Sequence, residues 1–263
     1  MSRLADKRDE NMEQKINEIK TVLQAAGDTE LPAFISTYEK DSRPGVKALV
    51  QKAIKRRGAY EKELSRTETM KKYEREYSSF SCICGIDEVG RGPLAGPVVA
   101  GAVILPKDCD ILYLNDSKQL SEKKREELYD VIMEKAVSTG LGFVGPERID
   151  EINILQATYE AMRQAIDQLE HRPDLLLNDA VTIPGVSIRQ VPIIKGDAKS
   201  ISIAAASIIA KVTRDRLMTE YDRVYPEYGF ASNKGYGAKA HIEAIKKYGP
   251  TPIHRKSFIG NFL

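Results

Sequence analysis

The sequence predicts an α/β fold, a mixed sheet layered with helices, preceded by a small all-helical module. Two observations carry this prediction. Before residue 79, apolar residues recur three and four positions apart, as on the buried face of a helix. After residue 80, segments rich in Val and Ile alternate with helical patterns, which is typical of a sheet covered by helices. We therefore expect a helical module over residues 1–79 and an α/β domain over residues 80–263.

The module is expected to contain three helices. They are predicted over residues 7–26, 31–38 and 44–77, the last one weakened at Gly58. Residues 46–75 hold ten basic and four acidic side chains, whereas the chain as a whole has a net charge of +2. Such a stripe often binds a polyanion. A solvated helix face with ion pairs such as Glu68 with Lys72 explains the same composition equally well.

The α/β domain begins with two strands that flank a glycine-rich turn, which favours an antiparallel pair with a wide connection. Strands are predicted over residues 82–89, 97–105, 140–144, 175–179 and 186–194. Helices are predicted over residues 121–136, 149–169, 200–221 and 238–248, the first of them capped by Ser121.

Composition excludes several classes of protein. With 42% hydrophobic and 30% charged residues, the chain is neither disordered nor fibrous by composition. It contains no apolar run of membrane-spanning length and no secretory signal pattern, so we expect a cytoplasmic protein without membrane contact. Its three cysteines give no disulfide framework, and we expect them to be reduced.

Four acidic residues near strand ends are the most informative candidates. Asp87 and Glu88 interrupt an apolar strand, Asp179 ends another, and Asp197 precedes an Ala-rich helix. Carboxylates gathered beside a sheet repel one another, and a bound Mg²⁺ or Mn²⁺ ion usually neutralises this repulsion. Taken singly, a helix cap explains Asp197 and a turn explains Asp179 at least as well. Only the set predicts a metal site.

Two loops could contact a nucleic acid. The turn Gly90-Arg91-Gly92 could present backbone N–H groups and a positive charge to a phosphate, although a turn that merely needs positive φ explains its glycines too. Tyr236, in a glycine-containing loop, could stack on a sugar or base or could pack against its own domain. The three histidines show no metal-ligand spacing, and His254 could lie near a phosphate through Arg255.

Six motifs in this order resemble the bacterial ribonuclease HII family, over residues 83 to the C-terminus. They are GIDEVGRGPLAGPV at residues 85–98, DSK at 116–118, KGD at 195–197, IAAASIIAKVTRD at 203–215, KGYG at 234–237 and HR at 254–255. The resemblance implies a ribonuclease H-like fold, with a mixed five-stranded sheet flanked by helices. The helical module lies outside the shared part.

The same resemblance implies function and site residues. It implies hydrolysis of the RNA strand of RNA–DNA hybrids and cleavage 5′ of single ribonucleotides in duplex DNA, with two Mg²⁺ or Mn²⁺ ions. The implied metal ligands and catalytic acids are Asp87, Glu88, Asp179 and Asp197. The implied substrate contacts are Gly90, Arg91, Gly92, Tyr236 and Lys118.

Some interpretations stay open at this point. The strand before the third acid departs from the family pattern, which leaves Asp174 as a second candidate. A DNA-only nuclease or recombinase of the same fold, or a non-catalytic hybrid-binding protein, are the alternative functions. We expect a monomer, whose apolar C-terminal residues 256–263 could dock on a replication clamp or could pack in the core.

Overall fold

The computed structural model describes residues 14–263, and the chain divides into two compact units. The N-terminal unit ends at Arg66, and the C-terminal unit spans Thr67–Leu263. The predicted boundary at residues 79 and 80 stays a prediction. The predicted first helix extends before residue 14, and that part of it lies outside the described residues.

The N-terminal unit is helical, as predicted. Its helices are α1 (Ile16–Ala25), α2 (Leu31–Tyr38) and the first part of α3 (Pro44–Met70). They enclose a small apolar core of Ile19, Leu23, Leu31, Phe34, Tyr38, Val46, Val50 and Ala53. α3 continues through Gly58 as one helix, as predicted, because a single glycine costs a helix only ~1 kcal/mol. The helix ends at Met70, and α4 (Lys72–Glu76) follows.

The C-terminal unit is built on a five-stranded mixed sheet, which confirms the predicted fold class. Its strands are β1 (Ile83–Val89), β2 (Val98–Ile104), β3 (Ser138–Val144), β4 (Leu175–Asp179) and β5 (Arg189–Ile193). The order is β3-β2-β1-β4-β5. β1 is antiparallel to β2, as predicted, and parallel to β4, which is parallel to β5.

Helices cover both faces of this sheet. They are α5 (Glu122–Lys135), α6 (Pro146–Asp167), α7 (Ile201–Val224), α8 (Phe230–Asn233), α9 (Lys239–Tyr248) and α10 (Lys256–Ile259). One apolar cluster joins α5 and α7 to β2, and another joins α6 to β1, β2 and β4. The Ser121 side chain caps α5 as predicted, whereas α6 begins earlier than predicted, with Pro146 in its first turn.

Two glycines allow α7 to lie directly on the sheet. A Cβ atom at Gly85 would overlap the backbone of Ser202, and one at Gly101 would lie 2.5 Å from the Ala206 carbonyl oxygen. The small residues of α7, which is the predicted Ala-rich helix, are buried where the helix meets the sheet. This close approach brings Ser207 beside β1 and the start of α7 beside the ends of β4 and β5.

The segment just before β1 belongs to the core of the C-terminal unit. Tyr73, Tyr77 and Phe80 pack against a buried cluster that includes Leu175 and Ile203. The Glu74 carboxylate accepts hydrogen bonds from the Ser200 hydroxyl at 2.6 Å and the Ser202 backbone N–H at 3.1 Å. A carboxylate at the first turn of α7 also compensates the positive end of that helix.

Candidate active site

Sheet register explains why acids distant in sequence lie together. Ile86 on β1 pairs with Asn178 on the parallel strand β4, so that Asp87 and Asp179 come one step later on neighbouring strands. Asp179 in turn pairs with Ile193 on β5, and Asp197 follows that strand within a short 3₁₀-helix, Gly196–Ala198. Three acids therefore gather at the carboxyl ends of three adjacent strands.

Hydrogen bonds hold two of these acids in place. The Asp179 Oδ1 atom accepts the Gly196 backbone N–H at 2.7 Å, which ties the end of β4 to the loop that carries Asp197. Asp87 is 6% exposed and accepts a hydrogen bond from the Ser207 side chain of α7. Ser207 also contacts the Ser117 hydroxyl at 3.0 Å, so the DSK segment is linked to the same centre.

Electrostatics shows how tightly the acids are grouped. Burial raises the pKa of Asp87 well above its usual value, and the Glu88 and Asp179 charges raise it further. Burial also raises the pKa of Glu88, with Arg91 acting in the opposite direction through a 3.3 Å ion pair. The pKa of Asp197 is raised by burial and then by the Asp116 and Asp179 charges. A cluster of this kind is short of positive charge.

The structure brings Lys118 to this cluster and excludes Asp174 from it. Lys118 is exposed and lowers the pKa of both Glu88 and Asp197, which places its ammonium group near them. Asp174 instead precedes β4, at the end of the strand opposite to Asp179. Its carboxylate accepts the Ser81 and Cys82 backbone N–H groups at 2.8 and 2.9 Å and so holds the start of β1.

The donor set fits a hard divalent cation, although the side chains are not arranged as a finished coordination shell. Every candidate ligand is a carboxylate oxygen, which is the donor that Mg²⁺ and Mn²⁺ prefer. Across residues 14–263, however, no three acidic, histidine or cysteine side chains converge closely enough to enclose an ion as they stand.

The glycine turn lies next to the acids and is held from inside the protein. Gly90 has φ of +88°. The fully buried Arg255 donates to the carbonyl oxygens of Gly90 at 2.5 Å and Arg91 at 2.9 Å. In a planar trans peptide the N–H points opposite to the C=O. The N–H groups of Arg91 and Gly92 therefore face away from Arg255, as two adjacent donors on one side of the turn.

Tyr236 completes this region of the surface. Its side chain is 42% exposed, in agreement with the exposed aromatic predicted there. A Cβ atom at Gly92 would lie 3.8 Å from the Tyr236 ring, so the ring and the turn face each other across a short distance. The Gly235 carbonyl oxygen accepts the Leu94 backbone N–H at 2.7 Å, which joins the two loops.

Several structural residues of this region were not identified from the sequence. Arg214 is fully buried and donates to the carbonyl oxygens of Pro97, Ala95 and Lys234. Helical spacing was the available signal, because Arg214 continues the buried positions Ser207 and Ala210 along α7. The expectation that His254 lies near a phosphate is wrong, since His254 is 2% exposed and Arg255 is buried against backbone carbonyls.

The C-terminal residues pack mostly inside the protein. Ile259 is fully buried, and Phe258 and Phe262 pack against the cluster that also contains Phe230 and Ile245. Leu263 is 70% exposed. The three cysteines are free, as expected. None of the helices described between residues 14 and 263 is long and apolar enough to cross a bilayer.

Comparison with known proteins identifies the family. The family model for ribonuclease HII matches residues 84–261, and that for the ribonuclease HII N-terminal domain matches residues 15–78. Ribonuclease HII of Lachnoclostridium phytofermentans is 64% identical over 247 residues, covering 94% of this chain and 97% of the relative.

Two solved structures are similar to the chain. Ribonuclease H2 from Pyrococcus horikoshii OT3 superposes with a TM-score of 0.58 at 30% identity, over 69% of this chain and 99% of that one. RNase HII of Archaeoglobus fulgidus, solved in complex with PCNA, gives a TM-score of 0.57 at 28% identity, over 68% of this chain and 96% of that one. With the strand-end acids and the glycine turn in place, these matches show that the chain is a nuclease and belongs to the ribonuclease HII family.

Proposed function

We propose that this ribonuclease hydrolyses the RNA strand of RNA–DNA hybrids and also cleaves on the 5′ side of a single ribonucleotide within duplex DNA. The products would carry 3′-hydroxyl and 5′-phosphate ends. The observation that carries the proposal is the juxtaposition of two features: acids at three adjacent strand ends, and an exposed pair of N–H donors opposite Tyr236. The first feature suits phosphodiester hydrolysis, and the second suits recognition of a ribose.

Asp87, Glu88, Asp179 and Asp197 are the proposed metal ligands. Two Mg²⁺ or Mn²⁺ ions, when bound, would lower the pKa of the attacking water and stabilise the leaving 3′ oxygen. Binding requires ionised carboxylates, and the raised pKa values of Asp87, Glu88 and Asp197 indicate that ionising them together is costly without a cation. The four acids thus explain why the enzyme should depend on a divalent ion.

Substrate recognition is assigned to the other side of the site. In this proposal the N–H groups of Arg91 and Gly92 bind the ribose 2′-hydroxyl, which is the group that distinguishes RNA from DNA. Tyr236 would stack on the adjoining sugar or base, an interaction that is tolerant of sequence. Lys118, close to Glu88 and Asp197, is the proposed contact to a phosphate beside the scissile bond.

Neutralising single acids tests the metal assignment. Asp87→Asn and Asp197→Asn should each remove most of the turnover at saturating Mg²⁺, because each loses an anionic ligand that the remaining acids cannot replace. Asp174→Asn is the matched control, since it changes the same functional group at the far end of β4 and should leave turnover near normal. Near-normal turnover of both Asp87→Asn and Asp197→Asn would show that the metal assignment is wrong.

We also propose that the N-terminal unit strengthens binding to nucleic acid. Its helix α3 presents Lys52 and Lys55 as exposed side chains three positions apart, on one face of the helix. Arg56 is engaged with Asp28, and Arg57 with Glu61, at 2.7 Å in each case. The two lysines are therefore the principal phosphate contacts in this proposal, and they should affect binding more than turnover.

A clamp partner is a separate proposal. The Archaeoglobus fulgidus relative forms a complex with PCNA, which supports it. Ile259 is buried, and Leu263 is the main exposed apolar side chain among residues 256–263, so it is the residue of this segment to test. Binding of full-length and Leu263-deleted protein to a purified clamp would test it, with equal affinities counting against the tail. Cytoplasmic localisation and a monomeric state remain predictions.

A further inference from the structure

Two buried histidines form a continuous hydrogen-bonded chain beneath the Tyr236 loop. The backbone N–H of Thr251 donates to His254 Nδ1 at 2.9 Å, and Nε2 of His254 lies 3.0 Å from Nε2 of His241. Nδ1 of His241 lies 2.8 Å from the Tyr236 carbonyl oxygen. His241 is fully buried and His254 is 2% exposed, so the contacts lie inside the protein.

Only one proton arrangement satisfies this chain while both rings are neutral. Because Thr251 N–H donates to His254 Nδ1, the His254 proton must be on Nε2. Because the Tyr236 carbonyl can only accept, the His241 proton must be on Nδ1. His254 therefore donates to His241, which donates to Tyr236. Burial lowers the pKa of both rings, that of His254 to about 4, which keeps them neutral.

The residue after His254 holds the other half of the proposed recognition surface. Arg255 donates to the carbonyl oxygens of Gly90, Arg91 and Gly96. The His254 backbone forms a β-bridge with Ala95. The Arg255 side chain thus contacts the glycine turn, and the His254 side chain is linked to the Tyr236 loop through His241.

We propose that His241, His254 and Arg255 are positioning residues that set the separation between the glycine turn and the Tyr236 ring. This inference rests on the proposed function, in which those two elements bind the ribonucleotide. None of the three side chains needs to touch the substrate. They act by fixing two backbone segments, residues 90–91 and the Tyr236 peptide, from the buried side.

Aromatic neighbours make a clean substitution available. Tyr228 and Phe230 enclose His241 edge-on, at ring distances of 6.3 and 5.3 Å. His241→Phe should therefore keep much of the packing while removing both hydrogen bonds of the ring. His241→Asn is the complementary variant, because its amide nitrogen can replace Nδ1 as the donor to the Tyr236 carbonyl.

The test is a double-mutant cycle with Tyr236→Ala, measured as kcat/KM on duplex DNA that contains one ribonucleotide. Loss of stacking predicts a fall of about 5- to 150-fold for Tyr236→Ala. His241→Phe should cause a fall of the same order, His241→Asn should recover most of the activity, and His241→Phe should have no further effect in the Tyr236→Ala background. Mn²⁺ binding, measured by calorimetry, should be unchanged in all variants.

Different failures have different meanings. If Tyr236→Ala cleaves normally, the proposed role of Tyr236 is wrong. If Tyr236→Ala is impaired but His241→Phe is not, or if the two losses multiply in the double variant, the positioning role is overturned. If His241→Phe does not fold, His241→Asn decides the question. The Asn variant retains a donor to the Tyr236 carbonyl, so a folded His241→Asn protein with a loss of kcat/KM as large as that of Tyr236→Ala would also overturn the positioning role.

Discussion

Alanine substitutions at Gly90 and Gly92 should have different effects: Gly90→Ala should destabilise the fold, whereas Gly92→Ala should impair cleavage and leave stability nearly unchanged. Gly90 has φ of +88°, and a Cβ atom there would overlap the Arg214 guanidinium and lie 2.8 Å from the Pro97 carbonyl oxygen. At Gly92, φ lies outside the left-handed region, and the nearest neighbour of a Cβ atom is the Tyr236 ring at 3.8 Å. Gly90 is therefore required by the fold, whereas Gly92 faces the space where a substrate would lie.

The magnitudes follow from these surroundings. For Gly90→Ala, a strained backbone costs about 1–3 kcal/mol and overpacking of a buried site about as much again. For a unit of this size, ~1 kcal/mol corresponds to about 2–4 °C, so the Tm should fall by roughly 5–20 °C. Gly92→Ala is an exposed substitution without strain and should change stability by no more than about 0.5 kcal/mol.

Thermal unfolding and single-turnover cleavage measured on the same preparations separate the two effects. Gly92→Ala should keep its Tm within about 2 °C and lose at least about tenfold in cleavage at a single ribonucleotide, which is ~1.4 kcal/mol in the transition state. The distinction between the two glycines is refuted if Gly92→Ala unfolds as early as Gly90→Ala, or if it cleaves as well as the unchanged enzyme.

Three further predictions concern other parts of the chain. Burial raises the pKa of Asp87 in the folded protein, so its ionisation lowers the free energy of unfolding increasingly as pH rises above the pKa of the unfolded chain. Asp87→Asn should therefore stabilise the metal-free protein at pH 7 and much less near pH 4, which unfolding measured as a function of pH will check. A chain that begins at residue 67 should keep the Tm of the C-terminal unit, whereas a chain that begins at residue 80 should have a Tm several degrees lower. The shorter chain lacks the core contacts of Tyr73 and Tyr77 and the Glu74 carboxylate that caps α7. Equal Tm values for the two chains would contradict the packing described. Replacing Lys52 and Lys55 by glutamine should reduce the slope of log affinity against log salt by roughly 0.9 for each phosphate that is no longer neutralised, and an unchanged slope would exclude a phosphate-binding role for these lysines.

Sequence patterns predicted the layers of the fold but not every boundary. Alternating strand and helix patterns identified all five strands. β1, β2 and β4 are apolar runs buried on both faces, which are easily recognised, whereas β3 and β5 are only partly buried. Some element boundaries differ from the prediction. The helix predicted over residues 44–77 ends at Met70 and is followed by α4, and α6 begins at Pro146 rather than at residue 149. The segment before β1 packs in the core of the C-terminal unit, because Tyr73 and Tyr77 contact an apolar surface there.

The candidate acids and loops were identified from the sequence, whereas the residues that support them were not. Strand-end carboxylates and a glycine turn have recognisable local patterns. Arg214 and Arg255 do not, because the local sequence does not distinguish a buried arginine that binds backbone carbonyls from an exposed one. His241 and His254 are thirteen residues apart in sequence, and only the packing of α9 against the C-terminal loop brings them to 3.0 Å.

Cleavage-site mapping on end-labelled duplexes with zero, one or four ribonucleotides, in Mg²⁺ and in Mn²⁺, tests the central claim most directly. We predict no cut in the all-DNA duplex, one cut on the 5′ side of the single ribonucleotide, and cuts within the run of four, all with 3′-hydroxyl and 5′-phosphate ends. Cleavage of the all-DNA duplex at a comparable rate would indicate a DNA nuclease instead. Binding of every duplex without any cleavage would contradict the assignment of the four acids.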